Sequence, residues 1–148
     1  MNKKHSWKRL GGLLLLGLTA VLLFSVANVG AGTADCSNST GVTGNIVKGV
    51  TSAIGTANNC TSEPKTLGIV SYKLNSDGSV IEIKRFSSTI GVGESKSLEI
   101  PIVKCATKVI FYTGTDDGNK ANRIALAVFN HRPREGGYFC DQRPPADK

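Results

Sequence analysis

His131-Arg132-Pro133-Arg134-Glu135 places a proton donor, two fixed cations and a carboxylate within five consecutive residues. Cleavage of a phosphodiester needs those types: His131 as general acid, Glu82, Glu99 or Glu135 as base, and Arg132 or Arg134 on the phosphate. A small secreted nuclease is therefore the sharpest enzymatic reading. Against it, side chains so close in sequence seldom converge on one pocket, and a solvated polar turn accounts for the same residues. Beyond residue 34 His131 is the sole histidine, which excludes two-histidine acid–base pairs and His-based metal triads, and no G-x-S-x-G elbow is present. Asp116-Asp117-Gly118-Asn119 offers hard oxygen ligands for calcium but lacks the further acidic ligand of an EF-hand loop, so a glycine-containing turn explains it better. No metal and no cofactor is implied.

Cys36, Cys60, Cys105 and Cys140 are the other chemically distinctive residues. None of their spacings is C-x-x-C, and four thiols spread over the whole chain do not make a zinc site. An even count in an exported chain points to two disulfides. Of the three connectivities, Cys36 to Cys60 and Cys105 to Cys140 is favoured because each closes one moderate loop; sequence alone leaves the pairing open.

The export argument rests on the first 34 residues. Lys3, Lys4, Lys8 and Arg9 form a basic flank, residues 10–29 are uncharged and leucine-rich, and small residues follow at Gly30, Ala31, Gly32 and Ala34. This is a signal-peptide profile, with cleavage expected after Ala34 or, second, after Ala31. The alternative is an uncleaved anchor, since about 20 apolar residues suffice to span a bilayer. Either way the basic flank stays in the cytoplasm and the bulk of the chain leaves it. The domain is then secreted, periplasmic or held outside the cytoplasm by residues 10–29.

Removing 34 of 148 residues leaves 114, one domain with a modest core. The formal charge of +7 shrinks to +3, because four of the eighteen basic residues and none of the eleven acids lie in the leader. The remaining lysines are scattered among acids, a pattern that argues against a nucleic-acid stripe. Asn38-Ser39-Thr40 and Asn59-Cys60-Thr61 fit the N-glycosylation acceptor pattern.

Ile46, Val47, Val50, Ala53, Ile54 and Ala57 recur at helical spacing, which predicts a short helix over 45–57 that Gly49 and Gly55 would weaken by about 1 kcal/mol each. An irregular disulfide-closed loop is the alternative there. From Leu67 the pattern turns to strands. Residues 67–75 and 79–86 flank Asp77-Gly78, a strong hairpin signal. A run over 96–104 contains Pro101, which predicts an edge strand or a bulge. Residues 107–113 lack alternation, as a strand covered on both faces does. A strand over 122–130 and a short last one at 138–140 follow. Tyr72, Tyr112 and Tyr138 read as core residues, although a sugar-stacking platform would use the same side chains.

These features predict a mainly β fold: a small two-layer β-sandwich or open barrel with one short N-terminal helix, disulfide-stabilised. Residues 35–142 form a single exported domain and 143–148 a flexible tail. The functional expectation is a non-enzymatic binding or structural domain of the envelope or extracellular space, engaging an unidentified protein or envelope component. The alternative is a small secreted hydrolase built on His131.

Overall fold

The computed structural model describes residues 28–115, 122–131 and 137–144. Eight strands account for its regular structure: β1 (Asn28–Thr33), β2 (Val42–Lys48), β3 (Ser52–Asn59), β4 (Lys65–Leu74), β5 (Val80–Ile90), β6 (Glu94–Pro101), β7 (Thr107–Gly114) and β8 (Arg123–His131). They form two antiparallel four-stranded sheets, ordered β1-β6-β3-β2 and β5-β4-β7-β8. Two packed sheets with both disulfides formed establish the mainly β, sandwich architecture. The order follows the ABED/CFG arrangement of immunoglobulin-type sandwiches with two departures: β1, from the start of the chain, sits beside β6 where those folds use a strand from mid-chain, and β5 adds a fourth strand to the second sheet.

The core lies between the sheets and is built from Ala53, Ala57, Leu67, Ile69, Ile90, Leu98, Ile100, Val109 and Phe111. Phe111 is its centre. Opposite its ring the first sheet presents Gly44 and Gly55, and a Cβ on Gly55 would come within 2.7 Å of the ring carbons. At such a distance something must shift, so both glycines serve to admit the ring. Lys48 Nζ lies 5.8 Å from the centre of the Phe129 ring and links the β2 and β8 edges.

The helix expected over 45–57 is absent; those residues form most of the β2–β3 hairpin, with Ile46 opposite Gly55 and Val47 opposite Ile54. The physical reason is the size of what faces the core. On β3 burial alternates residue by residue, and the inward set is Ala53, Gly55, Ala57 and Asn59. Small inward residues make room for Phe111, so a true period of two reads as polar, while the larger Ile54 sits outward. Val47 and Val50, counted toward the helical stripe, are 61% and 94% exposed.

The Asp77-Gly78 hairpin is present, with Gly78 in the left-handed region at φ 84°. β7 lies between β4 and β8 as a central strand, but only its inner face is covered by the other sheet; its outer residues Lys108, Ile110 and Tyr112 line a groove. β6 is not an edge: β1 and β3 flank it, and Pro101 is accommodated as its last residue. Residues 138–140 form no strand but dock by backbone bonds, Ala106 N–H to the Tyr138 carbonyl and Cys140 N–H to that of Leu74, each at 3.0 Å. Most of the leader, the 116–119 turn and most of the tail lie outside the described residues.

Cys36 is bonded to Cys60 and Cys105 to Cys140, as the loop-closure argument favours. The two bridges sit at opposite ends of the sandwich. The first joins the end of β3 to the chain leaving β1, and the second joins the β6–β7 loop to the C-terminal segment.

Candidate binding groove

Alternation on β4 and β7 gives each strand a second apolar row, facing away from the core. Val70 and Tyr72 on β4 pack with Ile110 and Tyr112 on β7 in a separate cluster on the outer face of the second sheet. Val70 lies opposite Ile110, and Tyr72 opposite Lys108, in the β4–β7 register. With Val80, Arg123 and Ala125 they line a groove of about 280 Å³.

The groove's shape depends on how Tyr112 lies. Its ring crosses Gly68, its register partner on β4, where a Cβ would overlap Cζ, Oη and Cε2. The Arg123 guanidinium carbon is 4.9 Å from the ring centre, a cation–π contact. Tyr112 is thus clasped between a glycine notch and a guanidinium, and is fully buried. It forms the groove's floor, not an exposed stacking platform. Gly68→Ala is expected to displace the ring and cost about 1–3 kcal/mol, in line with overpacking elsewhere. A lower thermal midpoint together with an altered tyrosine near-UV CD signal would report it; an unchanged midpoint would refute the notch.

Val80 at the rim is 45% exposed, while Val70 and Tyr72 on the floor are 1% and 7% exposed. Two cations, Lys108 and Arg123, stand among these apolar groups. Among the described residues the carboxylate nearest in the ladder is Glu82, opposite Tyr72 on β5, and it is held by Arg85 through two hydrogen bonds. The groove therefore suits a ligand with an apolar body, and Lys108 is the cation placed to meet a negative group on it.

The residues expected to do acid–base chemistry are distributed otherwise. His131 ends β8, opposite buried Thr107, with its ring stacked on Phe129 at 6.4 Å and 8°. Glu82 is on β5, three strand spacings away across the sheet, about 14 Å or more. Glu99 belongs to the other sheet, between the core-facing Leu98 and Ile100. Neither is brought to His131. Arg132, Arg134 and Glu135 lie outside the described residues. Among the described residues no group of three or more His, Cys, Asp or Glu could hold a metal ion.

Of the two glycosylation patterns, only Asn38 is exposed. Asn59 is fully buried and its side chain is engaged: Nδ2 donates to the carbonyls of Glu63 at 2.8 Å and Gly91 at 3.0 Å, while Oδ1 accepts from Thr61 N–H and Oγ. Its role is to tie the β3–β4 loop to the β5–β6 turn. Compared with known proteins, the chain matches no family model and no curated protein. The groove was not legible in sequence, because its walls come from β4, β5, β7 and β8, and Tyr72 and Tyr112 there are indistinguishable from core.

Proposed function

We propose that this chain is an exported, disulfide-bonded, non-enzymatic binding domain of the cell envelope or extracellular space, and that it holds its partner in the groove on the outer face of the second sheet. Two disulfides are typical of extracellular and periplasmic proteins. The observation that carries the binding role is the aromatic and aliphatic floor set beside Lys108. Grooves of mostly apolar lining with a few placed polar groups are where proteins take ligands. The partner is a protein or envelope component that presents an apolar group next to a carboxylate or other anion.

An anionic apolar fluorophore, anilinonaphthalene sulfonate, is a direct probe. Its binding to the native protein should shift the NMR signals of Val70, Tyr72, Ile110 and Tyr112, and Lys108→Glu should weaken it about tenfold, roughly 1.4 kcal/mol. Shifts elsewhere, or equal binding by the variant, would refute the groove. The hydrolase alternative rests on His131 alone. Nuclease, protease, glycosidase or esterase activity that copurifies with the protein and disappears in His131→Ala would establish it and overturn the non-enzymatic reading.

A further inference from the structure

The pairing of β1 bears on where the export signal ends. β6 is an interior strand only because β1 covers it. Their register runs from Asn28 opposite Leu98 to Thr33 opposite Glu94. Its one irregularity falls between Val29 and Ala31, and the residue there is Gly30, in the left-handed region at φ 59°. That is the glycine a bulge of this kind requires. The pairing continues past the strand, where Ala34 N–H donates to the Gly93 carbonyl at 2.9 Å, and two residues later Cys36 is bonded to Cys60. Moreover, β5 ends at Ile90 and β6 starts at Glu94, so the three-residue turn between them supplies no strand for the seat beside β6. Cleavage after Ala34 would remove all of β1 and leave the outer edge of β6 open, an invitation to aggregation. Cleavage after Ala31 would remove most of it.

A processing site that spares β1 is written just before it. Ser25-Val26-Ala27 places small residues at the third and first positions ahead of Asn28, the A-x-A-like pattern a signal peptidase accepts. The apolar stretch before that, residues 10–24, then has a length within the usual range of about 7–15 for the hydrophobic core of a signal. We propose that the signal is cut between Ala27 and Asn28, so that the mature chain begins with the strand that completes the first sheet. The step is a peptidase-catalysed hydrolysis: water adds across the Ala27–Asn28 amide, leaving a carboxylate on Ala27 and an ammonium on Asn28. This inference rests on the export reading.

Expression of the full chain in a secretion-competent host, followed by intact-mass measurement of the product outside the cytoplasm, tests it. The expected product begins at Asn28 and gains the mass of four hydrogens on reduction. Ala27→Asp should block its formation and accumulate precursor, while Ala34→Asp should leave it unchanged. A product beginning at Gly32 or Asp35, or an uncleaved chain with its domain outside the cytoplasm, overturns the proposed site and leaves export standing. An intact chain held in the cytoplasm with four free thiols overturns both.

Discussion

Cys140→Ser should lower the stability of the domain by about 2–5 kcal/mol, the usual loss for a native disulfide in a small exported domain. The chain-entropy model alone would scarcely rank the two bridges: sequence separations of 24 and 35 differ by only about 0.3 kcal/mol in that model. What separates them is the rest of the local attachment. Cys36 follows a strand held in a ladder, whereas Cys140 lies in a segment outside either sheet. Apart from the disulfide, that segment docks through the Tyr138 and Cys140 backbone bonds and through Asp141, which accepts hydrogen bonds from Ser76 N–H at 2.9 Å and Oγ at 2.5 Å. The Ser76 hydroxyl holds the exposed Asp141 carboxyl below the usual aspartate range. Losing the bridge should therefore release residues 137–144 and strip amide-exchange protection from Cys140 and Ser76, besides shifting the denaturation midpoint. Cys36→Ser should cost less. A larger loss for Cys36→Ser, or retained amide protection at position 140 in the Cys140→Ser protein, would contradict this account.

Asn59→Asp should be nearly as severe, about 3 kcal/mol or more at neutral pH. The substitution turns a donor into an acceptor against the Glu63 and Gly91 carbonyls and places a charge at a fully buried position. Burial and facing carbonyl oxygens both raise the pKa of the new carboxyl in the folded state. The penalty is therefore greatest above that raised value and fades as the pH falls and the group takes up a proton. Urea unfolding at pH 7 and at pH 4 measures it: the deficit relative to the parent should shrink at the lower pH. The matched change Asn38→Asp, on the surface, should be close to neutral. Equal effects at the two asparagines would dispose of the proposed tie between the β3–β4 loop and the β5–β6 turn.

Much of the second sheet was legible in sequence because its strands carry large β-branched and aromatic residues and its hairpin turns on Asp77-Gly78. The disulfide pairing found is the one that loop closure favoured, although sequence alone left three connectivities open. In the first sheet β6 was legible as the run over 96–104, but β2 and β3 were not, since they trade size for fit: Gly44 and Gly55 give Phe111 its space, and the resulting polar, small-residue run imitates a weak helix. β1 was hidden differently, its glycines and alanines being the residues expected around a signal cleavage site. Asn59 matched an acceptor pattern that its burial rules out in the folded state. The groove joins residues some 40 to 50 positions apart, and only strand pairing makes them neighbours.

The two bridges also decide how the domain would respond to tension along its backbone. A pull transmitted from the residues before Cys36 to those after Cys140 passes through each sulfur–sulfur link and bypasses the loops it closes, with sequence separations of 24 and 35. At about 3.4 Å per extended residue, roughly 200 Å of contour length stays locked inside those loops even when the remainder is drawn out. β2, β3, β7 and β8 lie wholly within the locked loops; β4, β5 and β6 lie in the stretch that can extend. A domain so built would give way under load by a limited distance and keep two covalently closed hairpins from which the sheets can reassemble.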